Sequence, residues 1–291
     1  MSFGAATKGI AVSAALVAAG FMAGFSAAHA SGRPAGIPGQ TTYRMGASAG
    51  AAKTPAGPTT HIYATDWGLT LKANGTGFYN DLARLLLSAP DIGPVEYEIL
   101  PYRRANRSFI EDKTACKYPS NLTFTIKGGT MASANGYVTG KPFVLTRLHL
   151  FSRPGDPPIT DQAAINGKTI AYAMGARTPA RLRGHDVQFI AVANEVDKAR
   201  MLLSGRVDMI TATLPDAEFV FRKLGVKMAP YAPTLVLDTS PMGVDCHNTP
   251  QNIRFLTHLN ARVDHLLKNG ALRAFFKKHG LDPDLYLPRN G

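Results

Sequence analysis

Residues 166–225 read NGKTIAYAMGARTPARLRGHDVQFIAVANEVDKARMLLSGRVDMITATLPDAEFVFRKLG. Asn166-Gly167 is a tight turn into a strand over 168–173. A short helix over 178–183, a strand over 187–192 and a helix over 196–204 follow, the last closed by Gly205. A strand over 207–211 and a helix over 216–224, stopped by Gly225, complete the run. Repeated alternation of this kind predicts parallel strand pairs with helices on the sheet faces, an α/β protein.

The pattern extends in both directions. Upstream, 61–64 reads as a strand, and Phe78, Leu82, Leu85 and Leu86 mark the apolar face of a helix over 78–87. Asn80 and Asp81 suit its first turn, where a carboxylate opposes the helix dipole favourably. Strands are expected over 95–100, 122–126 and 143–151, with a helix over 105–113. Downstream, strands over 234–237 and 243–245 precede helices over 253–269 and 272–279, ended by Gly270 and Gly280.

The N-terminus reads as an address for export. Lys8 is the only charge before an apolar and small-residue run over 10–25, and small residues at Ala28 and Ala30 set up cleavage before Ser31. The alternative is an uncleaved anchor, but the run is short of the roughly 20 apolar residues needed to span a bilayer. A periplasmic location is expected. Residues 31–59, rich in Gly, Pro, Ala, Ser and Thr, read as a disordered leader that cannot bury enough surface to offset its ordering entropy.

Composition sets further bounds. Hydrophobic residues at 45% and charged residues at 18% belong to a globular chain, which excludes disorder throughout. The net charge is +12, but the basic residues are scattered, with no dense basic helix and no zinc or helix-turn-helix spacing. Nucleic acid is therefore not an expected partner; the charge biases the protein toward acidic ligands or surroundings. No metal or cofactor motif occurs: the eight histidines lack ligand spacing, and neither a P-loop nor a Gly-x-Ser-x-Gly elbow is present. Cys116 and Cys246 are the two cysteines, and in an oxidising compartment an even pair suggests a disulfide, with two separate buried thiols as the alternative.

Four segments together resemble the family-3 extracellular solute-binding proteins, the periplasmic receptors of amino-acid ABC transporters and their relatives. They are residues 77–83 (GFYNDLA), 101–105 (PYRRA), 145–171 with its INGKTIA entry, and 203–209 (LSGRVDM). The resemblance runs from about residue 60 to the C-terminus. It implies a type II periplasmic-binding fold: two lobes, each a mixed sheet flanked by helices. Lobe one would take residues 60–150 plus 240–291, and lobe two residues 151–239. Two departures bear on the ligand. The family's carboxylate-gripping Arg before the crossover strand is missing from 136–142 (GYVTGKP), and the Asp that holds a ligand ammonium is replaced by Thr213. An α-amino-acid ligand is thereby put in doubt.

In such a scaffold ligands sit beyond the carboxyl ends of the strands. Candidate contacts are Asp66 and Trp67 after the first strand, Arg104 after the second, Arg177 and Thr178 at a helix start, and Thr213 after the strand over 207–211. Trp67 offers a stacking wall or a hydrophobic plug, Asp66 a ligand contact or a turn cap. Arg104 is read as a carboxylate grip or an ion pair within lobe one, and Thr178 as an anion-site donor or an ordinary cap. Asp216 is read as a helix cap. The expected function is hinge closure on a small anionic or polar organic solute, presented by a monomer to an inner-membrane transporter or sensor. Two alternatives stay open: a dehydratase-like enzyme on the same scaffold, with Asp66 and His61 as its candidates, and an accessory protein of a periplasmic oxidoreductase.

Overall fold

A strand sits where the sequence reads as a structureless leader: β1 (Thr41–Met45) runs antiparallel to β3 (Val95–Pro101), with Thr41 opposite Ile99 and Met45 opposite Val95. A sheet edge offers unpaired N–H and C=O groups, so a segment without an apolar face can still be held by its backbone. The computed structural model describes residues 41–45, 58–127 and 129–288, of which 41–45 are described as backbone. The expected signal over 1–30 and its cleavage before Ser31 lie outside the described residues, as does the rest of the expected leader up to residue 57. All described residues belong to one compact unit.

The first half of the architecture is parallel. β2 (Thr60–Asp66) pairs with β3 on one side and β4 (Cys116–Ser120) on the other. The connections are α1 (Phe78–Leu87), which buries Phe78, Leu82 and Leu86, and α2 (Tyr102–Glu111), which packs on β2, β3 and β4. The strand expected over 122–126 is instead α3 (Leu122–Lys127), because Asn121 Oδ1 accepts the Phe124 N–H at 2.7 Å and starts a helix. The strand lies just before it, in β4, whose five residues are all buried. Burial on both faces leaves no alternation to read. A short β5 (Tyr137–Thr139) and the long β6 (Val144–Ser152) follow.

The second half repeats the theme. β7 (Lys168–Ala173) lies parallel to both β8 (Val187–Val192) and β9 (Met209–Leu214), and β9 is antiparallel to β6. The helices are α4 (Thr178–Arg181), α5 (Glu195–Leu203) and α6 (Asp216–Lys223). Asn194 caps α5 through the Val196 and Asp197 N–H groups.

One strand serves both halves. Within β10 (Asp238–His247), residues 238–242 pair with β6, whereas residues 243–246 pair with β4 and 245–247 with β5. The hydrogen-bonded path β1-β3-β2-β4-β10-β6-β9-β7-β8 is therefore continuous, but each half of β10 belongs to a different side. The register shifts between Gly243 and Asp245, and glycine is needed there because a Cβ at Gly243 would lie 3.0 Å from the Gly140 carbonyl oxygen. No strand forms over 234–237; Leu235 N–H closes a turn on Ala232 instead, and the strand begins at Asp238.

The C-terminal helices α7 (Pro250–Lys268), α8 (Ala271–Lys278) and α9 (Pro283–Tyr286) close the chain. α7 packs against α1, β2 and β10, and the Tyr286 hydroxyl donates to Glu218 of α6. Cys116 and Cys246 stand directly opposite on β4 and β10 and form a disulfide across a sequence separation of 130. The pairing read from the compartment is the one observed. Among the described residues, no helix is long and apolar enough to cross a membrane.

Candidate functional site

A cavity of about 370 Å³ opens between α2 and the turn from β7 into α4. Its first wall is one face of α2, with Tyr102, Arg103, Asn106, Arg107 and Ile110 at helical spacing. Gly175 and Arg177 line it from the β7–α4 turn, and Gly129 and Thr130 from the turn after α3. The walls meet closely. A Cβ at Gly129 would stand 3.1 Å from Nη2 of Arg177, and one at Gly175 would stand 3.4 Å from the Tyr102 ring. Both glycines have positive φ, +68° and +92°, which other residues adopt only with strain.

The lining is basic: three arginines, Arg103, Arg107 and Arg177, against the single carboxylate of Glu111. Guanidinium groups so arranged offer forked donors to a carboxylate or phosphate. Behind them lies a buried polar cluster. The Lys117 ammonium donates to Asn106 Oδ1, and Asp245 Oδ1 accepts from Thr139 at 2.8 Å. Burial pushes the Lys117 ammonium down to about 8 and pushes the Asp245 carboxyl up.

The residues expected to touch ligand are placed as follows. Arg177 lines the cavity. Arg104 does not; it is exposed on α2, while its neighbours Arg103 and Arg107 face the opening. Thr178 is buried, with its hydroxyl 3.3 Å from that of Thr211, so it turns into the second half rather than to the cavity. Asp66 Oδ1 accepts the Gly68 N–H at 2.8 Å, which is its turn-cap reading. Trp67 meets Tyr79 edge-on at 5.1 Å between centroids and packs on the core, its plug reading. Thr213 lies within β9 opposite Leu148 and does not line the cavity. His61 is half-exposed and 3.1 Å from Glu96, a surface pair.

Asp216 departs from its capping role. Its carboxylate accepts hydrogen bonds from Thr70, in the β2–α1 connection, and from Tyr79 of α1 at 3.1 Å. Burial pushes its carboxyl up to about 6. Tyr102, Asn106 and Arg107 are not among the contacts expected from sequence, and Arg103 is passed over there for its neighbour Arg104, although their helical spacing along α2 is a signal that marks them. Lys117 carries no local signal, because its depth depends on the strands on either side. Among the described residues, no group of three or more His, Cys, Asp or Glu side chains is arranged to hold a metal ion.

Solved structures share this arrangement of strands and helices. A chain from the glutathione import system of GshT and the cystine ABC importer TcyBC of Streptococcus mutans superposes with a TM-score of 0.60 at 18% identity, covering 79% of this chain and 97% of that one. The GluR0 ligand-binding core from Nostoc punctiforme, in complex with L-glutamate, gives 0.59 at 17% identity, covering 75% and 98%. The chain has the type II periplasmic-binding fold. An ancestral amino-acid-binding protein, a precursor of cyclohexadienyl dehydratase, also superposes, with a TM-score of 0.55 at 15% identity over 76% of this chain and 94% of that one. No family model and no curated protein matches the sequence. Tyr102 directly follows β3 and Gly175 and Arg177 follow β7, so two walls of the cavity start at the carboxyl ends of these strands.

Proposed function

We propose that this protein is an exported solute-binding protein that closes on a small organic anion in the cavity between α2 and the β7–α4 turn. The observation that carries the reading is the position of three arginines, two on α2 and one after β7, around a single opening at strand ends. Residues 60–150 and 240–291 form one lobe in this reading, and residues 151–239 the other. β6 and β10 cross between them and supply the hinge. Ligand contacts from both sides favour the closed state by their differential affinity, which is what a transporter or sensor in the inner membrane reads. The missing Arg in residues 136–142 and the Thr at 213 direct the choice away from α-amino acids.

Native mass spectrometry of the protein purified from its own compartment tests the reading. A stoichiometric, unmodified organic anion is the expected passenger. A bound cation or an apolar molecule counts against it.

Catalysis on the same scaffold is the second reading, favoured by the buried Lys117 and Asp245 beside the cavity and by the likeness to a dehydratase precursor. Conversion of the co-purified compound on incubation with the protein distinguishes it from binding alone.

A further inference from the structure

One face of the first half-sheet carries a row of polar side chains in register. Glu98 of β3 stands beside Tyr63 of β2, Tyr63 beside Lys117 of β4, Lys117 beside Asp245 of β10, and Asp245 beside Thr139 of β5. α2 covers this row. It brings the Tyr102 ring centroid to 5.9 Å from the Lys117 ammonium and sets Asn106 against it. Lys117 and Asn106 are each 6% exposed and Asp245 is 0% exposed. A cation at that depth needs negative field, and the Asp245 carboxyl supplies it; Tyr63, bound to Asp112, and Tyr102 are the other titratable neighbours.

The contact between Lys117 and Asn106 fixes the direction of the amide. An ammonium has only hydrogens to give, so the atom facing it is the amide oxygen, Oδ1. Nδ2, with two hydrogens, is left on the side chain that lines the cavity. The side-chain hydrogen bond found for Asn106 among the described residues is the one its oxygen accepts from Lys117. A positive charge on the carbonyl side of an amide polarises it and strengthens its N–H groups as donors. The arginines at the opening are exposed, whereas Asn106 as a residue is only 6% exposed. The cavity thus has two anion-seeking zones at different depths.

We propose that Asn106 Nδ2, backed by Lys117, is a second anion subsite at the base of the cavity, so that the solute carries an acidic group at each end. The inference rests on the solute-binding reading above and names its ligand class: a small organic diacid. One acid group meets the rim formed by Arg103, Arg107 and Arg177, and the other accepts from Asn106. A ligand ammonium finds only Glu111 among the lining residues: Asp245 is not one of them, its Oδ1 accepts from Thr139, and its Oδ2 is buried without a hydrogen-bond partner. The Lys117 charge, lost as the pH rises through about 8, should set the pH range over which the inner subsite works.

The test is calorimetric titration of the full chain with malonate, succinate, glutarate and adipate, each beside the monocarboxylate of equal chain length. At about pH 7, at least one diacid is expected to bind roughly tenfold or more tightly than its partner, the worth of one charge-assisted hydrogen bond. Asn106→Ala should bring the two affinities together, and Lys117→Met should do the same if it folds. In the parent the preference should fade as the pH is raised from about 7 to about 9.5, a range in which the arginines stay charged. Equal binding of mono- and diacids, a preference that survives Asn106→Ala, or no response to any diacid would overturn the proposal. Binding of another solute class without a diacid response would overturn it while leaving the solute-binding reading intact. Absence of any bound solute in the native mass spectrum would count against that reading separately.

Discussion

The Tyr79 hydroxyl donates to Asp216 Oδ2 at 3.1 Å, joining α1 of the first half of the chain to the start of α6 in the second. Thr70 donates to the other oxygen of the same carboxylate. Burial holds this carboxyl up at about 6, above its ordinary 3.8. Between those values the folded protein binds a proton that the unfolded chain does not, so stability falls as the pH rises through about 4 to 6. Asp216→Asn should flatten that dependence by about 1–3 kcal/mol. Urea unfolding of both proteins at about pH 4 and pH 7 checks it; parallel profiles would remove Asp216 as the cause.

Lys117 works in the opposite sense. Burial lowers its folded-state value to about 8 from 10.5, so above about 8 the unfolded chain binds the extra proton. Stability from this group should therefore rise as the pH climbs from about 8 to 10.5. Lys117→Met should lose the rise, although leaving Asp245 in a nearly waterless site should lower stability at neutral pH by about 3–5 kcal/mol if that carboxyl stays charged. Thermal unfolding across the range reads both effects.

The bridge between Cys116 and Cys246 closes a loop of 130 residues that contains the whole second half-sheet. Chain-entropy arguments give it up to about 4–5 kcal/mol. Cys116→Ala with Cys246→Ala should lose a large part of that in urea unfolding, and non-reducing peptide mapping of the parent should recover the linked pair. Free thiols at both positions would contradict the pairing.

Gly129→Ala should act on binding more than on the fold. Its positive φ makes any side chain cost about 1 kcal/mol, and the new methyl would push against the Arg177 guanidinium. A weaker affinity for the co-purified solute with only a small change in Tm is expected. An unchanged affinity would mean that the position of Arg177 is immaterial.

Helices with one buried stripe are legible from residue spacing. Phe78, Leu82 and Leu86 mark α1, and the β7–α6 alternation with its closing glycines gives the order of the second half, with β7 and β8 at their expected bounds. The strand expected over 207–211 instead runs from Met209 to Leu214, and the helix expected over 178–183 ends at Arg181. What stays hidden is set by tertiary context. β4 is buried on all sides and has no period, α3 alternates like a strand but is started by Asn121, and β1 is held by an edge that its own residues do not announce. β10 reads only as a short strand over 243–245, because the register shift between Gly243 and Asp245 separates that end from residues 238–242. At the site, Arg177 is signalled by its place at a helix start. Arg104 matches a motif position and so stands out over Arg103 and Arg107, but the phase of α2 turns the other two to the cavity.

The central claim is that arginines from both sides of one cavity hold a small anion. Titration of the co-purified solute into the parent, Arg177→Ala, and Arg103→Ala with Arg107→Ala tests it most directly. Losses of about tenfold to a hundredfold are predicted for each side, in line with charged hydrogen bonds worth about 1.5–3 kcal/mol. Undiminished binding in both variants would contradict it.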